Sequence, residues 1–343
     1  MAAIAGASAL RARRMECGLT QAELAARAGV SRQLVAAVEL GQNTPAVDAA
    51  LRLAGALATT VEQLFPSGRR DIEPALGEPL RERSLLRVGR VGDQLVATEL
   101  ADHGVAGAGW AKPDAILERG AVRLFPGALP AGLVLAGCDP ALGVAEAMLQ
   151  GLGPRSLLAI STATGTALQS LAGGRVHAAL VHGPKEGLPA APVSVARLQL
   201  ARWRVGLAVA TGRRHRSVEA VLHGGIRIVQ RDRAAASQQA LERAAAELGR
   251  DSPPRGPRAT GHIEAARIAA TLNCAAVTTE AAAAAFGLRF LALEYHTVQI
   301  WLARRWRAHP GIEALGDLLA SRAFTERVGQ LGGYDLTDCG ARV

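Results

Sequence analysis

The sequence predicts an all-α domain over residues 1–66 and an α/β domain over residues 131–343, separated by a linker and a small β-rich insert (67–130). Three observations carry this reading. Helix caps and apolar residues at helical spacing recur through the first 65 positions. Residues 85–125 change to strand-like alternation around turn signals. From Gly132 onward, short apolar runs alternate with loops and helical segments, as parallel strands covered by helices do.

In chain order, residues 4–17 read as a helix ending near Gly18. Thr20-Gln-Ala-Glu23 is a capping box that opens a second helix, and Gly29 stands where a left-handed C-terminal residue is wanted. Ser31 caps a third helix with Leu34, Val35 and Val38 on its apolar side and Arg32 and Gln33 on its polar side. Two helices meeting at a glycine turn make a helix-turn-helix, whose second helix can enter a DNA major groove. Val47–Ala58 and Thr60–Phe65 complete the bundle, and the Pro-, Gly- and charge-rich stretch 66–79 is a linker. Gly92-Asp93, between two alternating runs, signals a hairpin, and 121–125 another strand.

The α/β part is expected to run strand 133–137, helix to 150, strand 156–160, loop 161–166, helix to 171 and strand 176–181. A second lobe follows, with strands at 204–210 and 225–229. The stretch 230–239 is expected to lead from the latter into a helix, with helices at 263–272 and 279–286, strands at 288–293 and 297–302, and helices through most of the last 35 residues. Ligands in such sheets bind outside the carboxyl ends of the strands.

Composition narrows the function classes. No apolar run reaches the ~18 residues of a membrane span, and the first residues lack signal-peptide shape, so a cytoplasmic protein is expected. The four cysteines are scattered without a CxxC pair, against a zinc or redox motif. The net charge of +9 suits an anionic partner, but residues 1–65 hold six arginines against five acids. Arg197–Arg216 holds six arginines and no acid, and reads as a solvated edge rather than a second DNA contact. Metalloprotease, nucleophile-elbow, P-loop and Rossmann patterns are absent, so no enzyme is expected.

Residues Gly18–Gln21, Glu23–Ala25, Ala28–Ser31, Val38-Glu39, Gly41, Pro45 and Val61–Phe65 resemble the Cro/phage-repressor (XRE-type) DNA-binding family over about residues 4–65. The resemblance implies double-stranded operator DNA as partner, with Gln21 on a phosphate, Ser31, Arg32, Gln33 and Ala36 at the bases, and Gln42 and Asn43 near the backbone. Arg can bond guanine and Gln adenine in paired fashion. Leu135–Leu142, Gly174–Ala178, Ala201–Trp203, Gly206-Leu207, Gly261-His262 and Leu331–Asp335 resemble the periplasmic-binding-protein superfamily, in its molybdate-binding-related branch. That implies an α/β two-lobe periplasmic-binding-protein-like domain, with lobe I about 131–195 and 304–343 and lobe II about 196–303.

The ligand loop is expected at Thr162, Thr164, Gly165 and Thr166, where hydroxyls and free N–H groups at a helix start form an anion site. Cys138 and Asp139 adjoin it; Asp139 either binds a ligand donor or caps the following helix. Ser237, Gln238, His262 and Tyr295 are the candidates from the second lobe. Relatives carry an arginine where Gln238 stands, so a charge-assisted contact is lost there. The expectation is a homodimeric ligand-sensing transcription regulator with no cofactor and no metal, molybdate or tungstate being the leading effector. A molybdenum-cofactor-related enzyme and a DNA-bound scaffold with a degenerate cleft are the alternatives.

Overall fold

The computed structural model describes residues 3–40, 43, 45–65, 72–100, 113–151, 153–212 and 214–343. Gln42, the linker positions 66–71 and positions 101–112 of the expected insert lie outside the described residues. The chain forms two compact units, Met1–Ile72 with Asp114–Ala128, and Glu73–Pro113 with Leu129–Val343.

The first unit contains α1 (Ala3–Glu16), α2 (Gln21–Ala28), α3 (Arg32–Glu39), α4 (Val47–Ala56) and α5 (Val61–Leu64). The capping box at Thr20 and Glu23 forms in full, Gly29 is left-handed at φ 60°, and Ser31 accepts from Leu34 N–H. The fourth helix stops two residues short of the expected end, because Ala58 turns to φ 49°, outside helical space. Leu10, Leu24, Val35, Val38, Leu53, Leu57 and Leu64 form the core, each contributing roughly 1.5–3 kcal/mol of burial.

The chain continues with β1 (Ile72–Pro74), β2 (Leu85–Val91), β3 (Gln94–Glu99), β4 (Ala115–Glu118) and β5 (Ala121–Leu124). The β2–β3 hairpin turns at Gly92-Asp93, with Val91 opposite Gln94. It belongs to the second unit, where Val91 and Val96 pack with Val134 and Leu158. A Cβ at Gly89 would lie 2.4 Å from Val134 Cγ2, so that approach requires glycine. The β4–β5 hairpin belongs to the first unit and turns on Arg119 and Gly120, both at positive φ.

The second unit contains β6 (Leu133–Gly137), α6 (Ala141–Met148), β7 (Leu157–Ser161), α7 (Thr164–Ala172), β8 (Ala178–Gly183), β9 (Val195–Ala210), α8 (Val218–His223), β10 (Ile228–Val229), α9 (Ala236–Glu247), α10 (His262–Leu272), β11 (Ala275–Thr279), α11 (Glu280–Ala285), β12 (Leu288–Ala303), α12 (Pro310–Leu319), α13 (Arg322–Gly329) and β13 (Tyr334–Asp335). Its sheet has the order β10-β11-β9-β12-β8-β6-β7, with β13 on β9. The long antiparallel pair β9 and β12 runs from one lobe into the other.

Three expectations change here. The two strands expected at 288–302 are one, because no breaker separates them and a register shift at Ala292/Glu294 absorbs the irregularity. The strand expected from Arg204 begins at Val195. The helix expected from Thr279 starts at Glu280, with Thr279 as its cap, after the unforeseen β11; the Ala-Ala-Val-Thr-Thr strand is wholly buried and carries no alternation to reveal it.

Opposite the register shift at Val298/Gln299, β9 holds one extra residue, Leu200. Leu198, Leu200, Ala201, Trp203 and Val205 all enter the main core, so the inward positions change from even to odd at this bulge. Arg197, Gln199, Arg202 and Arg204 are left together on the other face.

Candidate functional site

In the helical unit, α3 presents Ser31, Arg32 and Gln33 to solvent, with Ala36 half-buried behind them. Asn43 is exposed after the helix, and Gln21 is half-buried at the start of α2. What holds these elements together is Glu39. Its carboxylate accepts from Arg14 Nε at 2.6 Å and NH2 at 3.0 Å and from Gln21 Nε2 at 2.9 Å. Burial opposes ionisation of Glu39, but these bonds outweigh it and hold the carboxyl below its ordinary range. The guanidinium also donates to Leu19 O at 2.7 Å, tying α1 to the α1–α2 turn.

In the two-lobe unit a buried polar cluster forms where the carboxyl ends of β6, β7 and β8 meet the second lobe. A Cβ at Gly165 would be 3.5 Å from Ala234 Cβ, and one at Gly261 3.3 Å from Ser161 Oγ, so the lobes meet here. Three helices start in this region, α7 at Thr164, α9 at Ala236 and α10 at His262, and none has a side-chain cap. Their first N–H groups are therefore free of side-chain acceptors, and their dipoles favour negative charge.

Arg231 is buried between the lobes. It donates through NH1 to His262 Nδ1 (3.2 Å) and through NH2 to Cys138 Sγ (3.1 Å) and Thr260 O (2.9 Å), and among the described residues it forms no ion pair. A guanidinium only donates, so His262 Nδ1 accepts and its proton sits on Nε2. Burial, reinforced by Arg231, holds the His262 imidazole well below its ordinary pKa, in its neutral form. Arg231 Nε, His262 Nε2, Thr164 Oγ1 and Ser237 Oγ are all buried without a hydrogen-bond partner.

Asp139 is already occupied. Oδ1 accepts from Tyr334 OH (2.7 Å) and Ala141 N–H (2.7 Å), and Oδ2 from Trp203 Nε1 (2.8 Å). It caps α6 and anchors the phenol and the indole. Burial raises its pKa beyond what these three bonds take back. Beside Trp203, His182 Nδ1 lies 3.0 Å from His296 Nδ1, and His296 Nε2 lies 2.6 Å from Glu294 Oε1.

Of the expected ligand residues, the structure gathers Cys138, Asp139, Thr164, Ser237 and His262 at this cluster, with Thr162, Gly165 and Thr166 half-buried around the start of α7. Gln238 turns inward: its Oε1 accepts from Arg231 N–H and its Nε2 donates to Gln230 and Glu242, so its amide organises the loop. Tyr295 is 69% exposed, on a hollow of roughly 440 Å³ with Arg204 and Glu280 that Trp203 and Tyr334 also line. Sequence reasoning had no role for Arg231, His182 or His296. The signal was present in the arginine-rich run 231–233, but nothing local shows which arginine turns inward.

Comparison with known proteins agrees with this architecture. A PBP superfamily domain matches residues 145–320, and a helix-turn-helix domain matches residues 10–64. An HTH-type transcriptional regulator of Methanothermobacter thermautotrophicus, itself uncharacterized, is 46% identical over 57 residues, 16% of this chain and 83% of that protein. Among solved structures, an ABC-type phosphate transport receptor from Vibrio cholerae is 10% identical with a TM-score of 0.41, over 59% of this chain and 98% of that one. The restriction-modification controller protein C.AhdI from Aeromonas hydrophila is 37% identical with a TM-score of 0.17, over 18% of this chain and 91% of that one. The chain belongs to the PBP superfamily and carries an XRE-type helix-turn-helix domain ahead of its two-lobe domain.

Proposed function

We propose that this protein is a one-component transcription regulator that binds operator DNA through residues 1–66 and senses a small oxyanion in the cleft of residues 131–343. The observation that carries the effector half is the buried, unpaired Arg231 beside three helix starts without side-chain caps. A buried guanidinium without a counter-charge is costly, and an anion in the cleft removes that cost. Arg231 Nε, His262 Nε2 and the Thr164 and Ser237 hydroxyls supply donors, while Asp139 has its oxygens taken. Such a donor-rich site favours an oxyanion that carries no proton of its own, such as molybdate, tungstate or sulfate, over a protonated phosphate.

Bound ligand shifts the lobe equilibrium only by its difference in affinity for the closed and open forms. At a hundredfold excess over Kd it stabilises the domain by about 2.7 kcal/mol, a rise in Tm of about 5 °C or more for a domain of this size. The test is a thermal-shift series with molybdate, tungstate, sulfate and phosphate on the wild type and on Arg231→Gln. A shift in the wild type that Arg231→Gln abolishes supports the reading. No shift with any of the four defeats it, and the scaffold reading takes its place.

On DNA we propose a homodimer on a two-fold site, because one helix-turn-helix spans few base pairs. Among the described residues no helix is long and apolar enough to cross a membrane, in keeping with the cytoplasmic site of action proposed here.

A further inference from the structure

The arginine-rich stretch of β9 builds a second pocket. Arg197, Gln199 and Arg202 on β9 and Thr297 and Gln299 on β12 line a cavity of roughly 550 Å³, walled by the loop after β8 and by Val343, whose N–H donates to Arg197 O at 3.2 Å. These side chains lie on the face of the crossing strands opposite Trp203 and Val298, which enter the main core. None of them belongs to the Arg231 cluster.

The polar equipment of this cavity is open. Gln199 is 5% exposed and donates Nε2 to Ala201 O, and among the described residues its Oε1 has no partner. Gln299 is 9% exposed and accepts from Trp301 Nε1 through Oε1, and among the described residues its NH2 group has no acceptor. Thr297, 8% exposed, has no hydrogen bond from its hydroxyl among the described residues. Arg197 lies over the Trp301 ring at 4.6 Å and among the described residues has no ion pair, whereas Arg202 is taken by Asp335 and Asp338. Lys185 and Glu186, side by side on the loop, are exposed and form no ion pair among the described residues. Leu188 and Pro189 supply apolar wall.

We propose that this cavity is a second effector site, for a small hydroxy- or amino-carboxylate. Arg197 and Lys185 supply the charge a carboxylate needs, and a guanidinium held over an aromatic ring is pre-positioned for it. Glu186 and Gln199 Oε1 are acceptors that a bare inorganic oxyanion cannot satisfy; a hydroxyl or ammonium on the ligand can. The volume and the apolar wall fit a carbon skeleton and exceed what an oxyanion fills. Because β9 and β12 join the lobes, occupancy here acts on the same lobe equilibrium from the other side of the strands. The proposal is independent of the oxyanion assignment.

The experiment is calorimetric titration of the full chain with malate, citrate and glutamate, and with succinate as the dicarboxylate lacking a donor. Saturable binding of a donor-bearing acid is expected, with succinate about tenfold weaker. Arg197→Ala and, as the milder change, Thr297→Val should each weaken it by about fivefold or more, while Arg231→Gln, which acts only through the lobe equilibrium, changes it by less than either. The proposal is overturned if none of the three acids binds saturably, or if binding survives Arg197→Ala and Thr297→Val but is lost in Arg231→Gln. Succinate binding as tightly as malate overturns the roles of Glu186 and Gln199.

Discussion

Two buried ions in this molecule are treated in opposite ways. Glu39 in the helical unit has Arg14 and Gln21 on its oxygens, and its charge is matched. Arg231 in the two-lobe unit has only neutral partners and an unsatisfied Nε. The first arrangement is a frame that fixes α1, α2 and α3 and keeps the recognition helix in one position. The second is incomplete by itself, and that incompleteness is what an effector site requires. Buried polar groups that are fully paired specify structure; the unpaired donors beside Arg231 are the ones the proposed oxyanion site uses.

Mutation can break this contrast most sharply at the frame. Glu39→Ala leaves the half-buried Arg14 with only the Leu19 carbonyl, and is expected to destabilise the helical unit by about 1–3 kcal/mol. Urea unfolding followed by circular dichroism measures it; a change within about 0.5 kcal/mol would show that the pair is not structural. By the same logic, Arg231→Met in the ligand-free protein should be near neutral or stabilising, since it removes an ion that is already uncompensated. A loss of several kcal/mol there would place Arg231 with the frame.

Acid should act on the two-lobe unit. Burial, the first cause in each case, depresses the pKa of His182 and His262 well below the ordinary value, and that of His177 to about 3. These histidines stay neutral in the fold while the unfolded chain takes up protons below about pH 6.5. The stability they contribute is therefore complete above that pH and is lost as pH falls toward the folded values. The expected slope is about 1.4 kcal/mol per pH unit for each histidine that stays neutral. Melting curves between pH 7.5 and 5 test this, and His182→Phe should flatten the dependence.

At the DNA end, Arg32→Ala should cost about 1–3 kcal/mol of operator affinity and relax preference at one base pair. Gel-shift titration against operator variants reads it, and unchanged affinity would remove Arg32 from the base-reading set. The smallest expected effect is that of Thr164→Val. The change deletes a hydroxyl with no partner, so it should leave apo stability within about 1 kcal/mol while weakening the oxyanion thermal shift.

The contrast also explains what could be read in advance. The helical unit was legible because its signals are local. A cap acts three residues away, Gly29 needs only its own φ, and apolar spacing follows one helix turn. The alternation of strand and helix announced the two-lobe sheet for the same reason. The cleft was legible only in part. The helix-start hydroxyls Thr164 and Ser237 could be named from their loops, but Asp139 is claimed by Trp203 and Tyr334, 64 and 195 residues away.

The sequence by itself determined the order of the elements, the caps, the helix-turn-helix and the loops at the strand ends, because each rests on interactions within a few residues. Tertiary structure alone decided that Arg231 is the buried cation, that Gln238 spends its amide on its own loop and that Tyr295 stands exposed beside Arg204 and Glu280. It also decided that one extra residue in β9 turns an arginine-rich run into one wall of a cavity. The physical reason is common to all four: which face a side chain occupies, and whether its hydrogen bonds are already taken, depends on partners brought together only by the packed fold.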